Sequence, residues 1–489
     1  MKNIKFFLVV IVFVSTITFS QTPTDYLSAD FHKSRRDALR AKMPANSVAV
    51  VFTNPIRNRA NDVSYVFHQD PNFYYLTGYR EPNGLLVLFS ENQTDTEGNL
   101  YNEILYVQKK DPRAEQWNGK RLGIKGAKKE LGFSKAMNSE DFANSSINFK
   151  KFDQVFIKKS NVNYRITGVE DIFKEIKENK LISEYKQAKT NLLKKEVQNR
   201  VTSALKPKTN INLRFLSSNL AAMREIKTAE EIKLLTKAIR ISAIGQIEVM
   251  KAMKPHMSEI ELQGIHEFVY KKYGAEYEGY PSIVGAGNNG CILHYIENNK
   301  TKVGNDLVLM DLGAEYRGYT ADVTRTIPAN GKFTKEQKEI YDIVYQAQEA
   351  GIKASTVGNS FTASSAACWK VINEGLFKLG IIKSFNERHN YLPHSISHYI
   401  GLDVHDPGTH GTLKANSVIT VEPGIYIPEG SPCDKKWWGI AVRIEDDILI
   451  TENGPVNLSA EAPRKSDEIE KMMAKKSVLD EFFLPDLDK

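Results

Sequence analysis

Three of the chain's ten histidines, His394, His398 and His405, fall inside the stretch Pro393-His-Ser-Ile-Ser-His-Tyr-Ile-Gly-Leu-Asp-Val-His-Asp406. Imidazoles clustered beside Gly and Asp show no periodic packing pattern and are costly to bury without partners, so metal binding or proton transfer is the default explanation. The carboxylates that such a site needs lie elsewhere in the chain. Whatever the fold is, it must bring distant segments to this one.

With 489 residues the chain is too long for a single core, and two or three domains are expected. Residues 1–20 stand apart. Lys2 and Lys5 precede an apolar run at 6–19 broken only by Ser and Thr, and Thr18-Phe19-Ser20 offers a small residue at a cut site. This predicts a cleaved secretory signal, a secreted or periplasmic product, and no stable membrane anchor after cleavage. The remaining charge, +7 less Lys2 and Lys5, or +5, is scattered in pairs such as Lys109-Lys110 and Lys271-Lys272 rather than gathered in a basic stripe, which argues against nucleic acid as a partner. Three cysteines, Cys291, Cys368 and Cys433, are too few for a disulfide framework and are expected as free thiols.

Apolar runs at 47–52, 73–76, 84–89 and 103–107 predict strands, interspersed with helical patterns at 31–43, near 125–132 and at 169–178. That alternation indicates an α/β unit. A Lys-rich segment at 186–208 resembles a connector. A long amphipathic helix follows, with Thr228 as N-cap and Glu231 three residues later; Pro255 ends or kinks it, and a further helix opens at Ser258. The expected division is signal 1–20, N-terminal domain 21–215 and C-terminal domain 216–489, in an α/β (α+β) chain.

Residues 307–312 and 321–327 read as two strands joined through Tyr316-Arg317-Gly318. A symmetric hairpin would set Asp311 directly opposite Asp322, with Cβ atoms about 5 Å apart. Two facing like charges call for something positive between them. The strand at 417–426 carries Glu422 and is stopped by Pro423-Gly424. The strand at 440–447 alternates so that Arg443 and Glu445 share a face, which by itself suggests an Arg–Glu ion pair. Taken together, Asp311, Asp322, His398, Glu422 and Glu445 hold too many carboxylates for structural zinc and suit two hard or borderline divalent ions.

The order of these motifs, Met310-Asp-Leu-Gly-Ala-Glu-Tyr, Tyr319-Thr-Ala-Asp-Val-Thr-Arg-Thr, the histidine stretch, Val421-Glu-Pro-Gly-Ile-Tyr and Val442-Arg-Ile-Glu-Asp-Asp, resembles that of the pita-bread dimetal peptidases, and among them aminopeptidase P. Gln69-Asp-Pro-Asn-Phe-Tyr-Tyr-Leu-Thr-Gly78 and Glu115-Gln-Trp-Asn-Gly-Lys-Arg are similar to that family's N-terminal domain, and the resemblance runs from about residue 26 to residue 473. It implies an N-terminal α/β domain before a pita-bread catalytic domain. It also implies two divalent ions, Mn²⁺ first, with Co²⁺, Zn²⁺ or Fe²⁺ as alternatives, held by the five ligands with Asp322 and Glu445 bridging. The implied reaction is hydrolysis of the N-terminal Xaa-Pro bond of a peptide by a hydroxide held between the ions, in an enzyme able to self-associate.

By the same resemblance, Glu422 accepts the attacking water's proton, His294 and His405 face the tetrahedral intermediate, His394 supports substrate, and Arg443 holds ligand carboxylates or gates substrate. Ser395 departs from the family, which usually has Gly there; Ser would be strained if the position demanded positive φ. The rival readings are a prolidase acting on Xaa-Pro dipeptides and a non-catalytic peptide-binding protein of the same fold. His256, His266, His389 and His410 are expected at the surface or in packing, and Trp437-Trp438 in the core or at its rim.

Overall fold

The computed structural model describes residues 23–158, 190, 193, 195 and 210–481. The expected signal at 1–20, the helical pattern at 169–178 and nearly all of the connector at 186–208 lie outside them. Among the described residues no helix is long and apolar enough to cross a membrane.

The N-terminal half begins with helix α1 (Ala29–Arg40), capped by the Ser28 hydroxyl, which accepts from Phe31 N. Its strands are β1 (Ser47–Phe52), the short exposed pair β2 (Asn58–Ala60) and β3 (Val63–Ser64), then β4 (Leu85–Thr94), β5 (Leu100–Val107), β6 (Ala136–Asn138), β7 (Gln154–Ile157) and β8 (Ile211–Asn212). Helices α2 (Pro71–Thr77), α3 (Pro112–Asn118) and α4 (Gly123–Glu130) lie between them. Six strands form one mixed sheet in the order β6-β5-β4-β1-β7-β8, with β1 antiparallel to β4 and parallel to β7. Every residue of β1 is buried because both faces are covered: Val48, Val50 and Phe52 pack into one core, Ala49 and Val51 into another.

One expectation fails here. Residues 73–76 are not a strand but the centre of α2, where the Asp70 carboxylate accepts from Asn72 N and Phe73 N (3.0 Å each), Pro71 occupies the first turn, and Gly78 (φ 69°) closes the end. Six of its seven residues are buried, so no polar face marks the helical period, and a short apolar run cannot reveal its type by periodicity.

The C-terminal half opens with α5 (Phe215–Glu225), α6 (Ala229–Ala252) and α7 (Glu259–Lys272). Helices α6 and α7 each start at a capping box, Thr228 with Glu231 and Ser258 with Glu261, and α6 ends three residues before Pro255. There follow β9 (Tyr277–Glu278), β10 (Ile283–Ala286), β11 (Leu307–Asp311), β12 (Ala314–Tyr316), β13 (Tyr319–Thr320), β14 (Thr324–Pro328), helices α8 (Lys335–Ala354) and α9 (Ala363–Lys378), and then β15 (Val418–Val421), β16 (Gly424–Ile427), β17 (Ile440–Arg443), β18 (Asp446–Thr451) and β19 (Gly454–Asn457). These strands form small antiparallel sheets, β10-β11-β14, β13-β12-β9, β15-β18-β19 and β16-β17, with helices packed on them. Their core includes Met310, Ile327, Val344, Ile372, Val421 and Val442. A second core joins the halves, since Phe73, Tyr75 and Leu88 cluster with Leu235, Ile239, Tyr316 and Ile400.

All three cysteines are free, Cys368 buried and the others half-buried. Trp437 lies in the core, and Trp438 beside it donates its indole N–H to Ser431 O.

Candidate active site

The hairpin that carries both aspartates is shifted from the symmetric register. Asp311 pairs with Thr324, Glu315 with Thr320 and Tyr316 with Tyr319, so the turn is Arg317-Gly318, with φ of 53° and 87°. Two successive positive φ values are what a two-residue type I′ turn requires, and glycine at its second position supplies one of them. Asp322 therefore faces Asp311 diagonally. Between the two, Gly313 passes so close to the returning chain that a Cβ there would lie 1.9 Å from Ala321 O. The carboxylates still meet, because the Tyr280 hydroxyl lies 2.6 Å from Asp311 Oδ1 and 2.5 Å from Asp322 Oδ1. A phenol has one proton, so it donates to one carboxylate at a time.

Glu422 and Glu445 both occupy breaks between strands. Residues 417–426 are not one strand: β15 ends at Val421 in one sheet, and the chain resumes after Pro423 as β16 in another. Likewise β17 ends at Arg443 and β18 begins at Asp446. Between them Glu445 N donates to Thr324 O (3.1 Å), and Glu445 Oε2 accepts from the Thr324 hydroxyl (2.6 Å). Two buried glutamines, on different helices, hold the backbone beside these ligands. Gln246 on α6 donates to Met310 O and Val323 O, next to the two aspartates. Gln348 on α8 donates to Val421 O and to the Asp446 carboxylate, next to the two glutamates.

His398 runs alongside β15, its carbonyl accepting from Thr420 N (2.9 Å) and its N–H donating to the Thr420 hydroxyl (3.1 Å). Its Nδ1 lies 3.0 Å from Tyr399 O. A carbonyl can only accept, so in the neutral ring Nδ1 carries the proton and Nε2 keeps its lone pair. That lone pair lies 3.5 Å from Asp322 Oδ2 and 3.5 Å from Glu422 Oε1. One donor atom each from Asp322, His398 and Glu445 lies within 4.8 Å of the others.

The electrostatics point the same way. Burial raises Asp322 and Glu445 far above the usual carboxylate range, and neighbouring carboxylates push them further; burial also lifts Glu422 to about 7, although His398 and Arg443 oppose it. Asp311 alone ends below its ordinary value, because the Arg443 charge and the hydrogen bonds from Tyr280 and Arg443 outweigh its burial. Arg443 Nη2 lies 2.5 Å from Asp311 Oδ2, while its Nη1 donates to Tyr426 Oη at 2.8 Å. The expected Arg443–Glu445 ion pair is absent because the strand breaks between the two residues. One guanidinium balances one carboxylate. The remaining three, with an imidazole lone pair turned toward them, have the donor chemistry of hard or borderline divalent cations.

His394 completes a chain behind Arg443. Its Nδ1 lies 2.7 Å from Ser395 O and its Nε2 2.8 Å from Tyr426 Oη, so Tyr426 accepts from Arg443 and donates to the imidazole. Burial, then the Arg443 charge, depresses His394 to about 4, which keeps it neutral. Ser395 is not among the residues with positive φ, and the strain considered for it does not arise. His405 is exposed, its ring edge-on to His398 with centroids 4.5 Å apart; His294 is exposed too, close enough to His394 and His405 that it disfavours a proton on either. Asp406 belongs to the scaffold, buried against Arg224 and Lys227.

The sequence reading missed Tyr280, Thr324, Gln246, Gln348 and Asp447. Asp447 is buried and accepts from Asp322 N (3.0 Å). Its only sequence signal is an unexplained second carboxylate after Glu445, and nothing local marks the other four.

Residues 233–452 match the family model for metallopeptidase family M24, and residues 32–154 match that for the aminopeptidase P N-terminal domain. The Xaa-Pro aminopeptidase of Escherichia coli (strain K12) is 36% identical over 91% of this chain and 98% of that protein. The human Xaa-Pro aminopeptidase 3 is 32% identical over 88% of this chain and 82% of that protein. A solved structure of E. coli aminopeptidase P with the inhibitor Pro-Leu superposes with a TM-score of 0.78 at 33% identity, covering 92% of this chain and 98% of that one.

Proposed function

The chain belongs to metallopeptidase family M24 and to its aminopeptidase P group, and from that membership we propose how its own residues carry out the reaction. It is an aminopeptidase that cleaves the Xaa-Pro bond at a peptide's N-terminus, working with divalent metal ions. The relatives do not favour the prolidase reading. Asp311, Asp322, His398, Glu422 and Glu445 are the residues that hold two cations, Mn²⁺ being the first choice for an oxygen-rich set with one imidazole. When bound, the cations supply a Lewis acid for the carbonyl and a water acidified toward neutral pH.

The protein groups do the rest. Glu422 faces the cluster, its Oε1 3.5 Å from His398 Nε2, where its carboxylate is placed to take a proton from water and return it to the leaving nitrogen. That return is needed because an amide nitrogen leaves as an amine and not as its anion, so it must gain a proton as the C–N bond breaks. Arg443 keeps Asp311 ionised and oriented, and Tyr426 fixes His394 with Nε2 as acceptor. His294 and His405, both exposed beside the cluster, are placed to donate to the oxyanion or to the substrate backbone.

One observation carries this assignment: the His398 Nε2 lone pair faces two carboxylates at 3.5 Å with no proton of its own to place between them. The test is metal analysis and a Mn²⁺-reconstituted assay on Xaa-Pro-Xaa tripeptides and Xaa-Pro dipeptides. Tripeptides should be preferred, and Asp322→Ala should lose both metal and turnover; wild-type activity in that variant refutes the ligand set. Export is part of the same reading, supported by Lys2, Lys5 and the apolar run at 6–19. N-terminal sequencing of secreted or periplasmic protein should begin near Gln21.

A further inference from the structure

The hairpin that presents Asp311 and Asp322 is thin at its tip. Only two residue pairs close it, Glu315 with Thr320 and Tyr316 with Tyr319, and its turn sets Arg317 at φ 53°, a conformation unfavourable for a residue with a Cβ. Asp322 lies in the gap between β13 and β14, outside either strand. A one-residue slip at the tip would turn it away from Asp311, and two pairs specify a register weakly. The tip therefore needs a hold from outside the hairpin.

Asp25 and Tyr26, shortly before α1, supply one. The Asp25 carboxylate accepts from Arg317 Nε (2.8 Å), from Lys237 Nζ on α6 (3.2 Å) and from the Tyr316 hydroxyl. The Tyr26 ring lies against the same guanidinium, its centroid 4.8 Å from Arg317 Cζ. Its hydroxyl donates to Glu276 Oε1 (3.0 Å), and that carboxylate also pairs with the Arg317 side chain and accepts from Arg317 N (2.9 Å). Leu27 then enters the core that holds Tyr316 and Tyr319. Segments close to a chain terminus fray unless they are tied down, and here two consecutive side chains close on a single turn. The Asp25 and Lys237 side chains are 41% and 48% exposed, so their pairing adds little to the stability of the whole chain. Its consequence is local. We infer that Asp25 and Tyr26 form a strap that fixes the hairpin's tip and, through it, the place of Asp322, which makes Asp25 a positioning residue for metal binding. The inference rests on the assignment of Asp322 as a ligand.

The experiment titrates Mn²⁺ by calorimetry into the whole chelator-treated enzyme and its variants, alongside urea unfolding of the same samples. Asp25→Asn keeps the shape of the side chain and drops its charge. It should weaken Mn²⁺ binding to at least one of the two sites by at least about tenfold, the usual size of an effect from a residue that orients a metal ligand. Asp25→Glu, which restores the charge, should bind Mn²⁺ more tightly than Asp25→Asn. Turnover of Leu-Pro-Leu by Asp25→Asn should fall at limiting Mn²⁺ and recover in excess. A contact that only stabilised the fold would shift the urea midpoint and leave the Kd of the folded protein at its wild-type value, and that result overturns the inference. So does an Asp25→Glu variant that binds no better than Asp25→Asn. Asp322→Ala separates the two levels of the reading. If it keeps both ions, the ligand assignment and the strap fall together; if it loses one while Asp25→Asn matches wild type, only the strap falls.

Discussion

Replacing Arg443 by Met tests the electrostatic account of the site most directly. Arg443 is 3% exposed and Asp311 8%, so the substitution strands a buried carboxylate among Asp322, Glu422 and Glu445. Removing one partner of a buried pair costs about 3–5 kcal/mol, most of it the penalty on the charge left behind. Cations held by these carboxylates would supply much of the missing positive charge. The loss should therefore be near its full size in chelator-treated protein and clearly smaller in Mn²⁺-saturated protein. Denaturant unfolding followed by tryptophan fluorescence can read this from the catalytic half, because Trp369, Trp437 and Trp438 lie there while Trp117, the fourth tryptophan, is 80% exposed. In the metal-free state, adding Asp311→Asn to Arg443→Met should restore part of the stability, since the stranded charge is then gone. An equal loss with and without metal, or none in either state, would refute the reasoning.

Other outcomes follow from single contacts. Burial holds His266 down at about 3 and His32 at about 4, against 6.5 for an exposed ring. The unfolded chain therefore takes up protons that the native state refuses, and stability present above pH 6.5 falls on acidification, by up to about 1.4 kcal/mol per pH unit for each histidine. His266→Leu should flatten the decline between pH 6.5 and 5 in equilibrium unfolding; an unchanged slope contradicts the assignment. Gln246→Leu removes the donor shared by the Met310 and Val323 carbonyls and should cost about 1–3 kcal/mol, together with a weaker metal Kd by calorimetry; stability and Kd both at wild-type values would show that the amide positions nothing. Gly313→Ala cannot be accommodated without moving Ala321, and metal titration should show at least one of the two sites lost.

Much of the site was legible because it rests on residue types that have few other uses in such combinations. The five proposed ligands and their order, the capping pair Thr228 and Glu231, the helix start at Ser258 and the strand at 47–52 all follow from local chemistry. The hairpin register was missed by assuming symmetry about residues 316 and 317. Glycine at 318 was the available signal, since a type I′ turn places it second, and centring the turn there yields the observed pairing. Residues 73–76 misled for another reason: burial on every side erased the helical period, although Asp70, Pro71 and Gly78 bracket the segment as caps do. The expected Arg443–Glu445 pair assumed an unbroken strand, and no residue between them announces the break.

What the sequence determined by itself is the inventory: which carboxylates and imidazoles are present, where helices start, and which runs are apolar enough to be buried. Those properties depend on a residue and its near neighbours. The tertiary structure decided which of these groups touch. Arg443 reaches Asp311 across 132 positions, Tyr280 ties Asp311 to Asp322, and Gln348 reaches the Val421 carbonyl across 73. A carboxylate's charge depends on partners within a few ångströms and on the water excluded around it. Only the packed chain sets those distances, so the ligands could be read before folding and their electrostatics only after it.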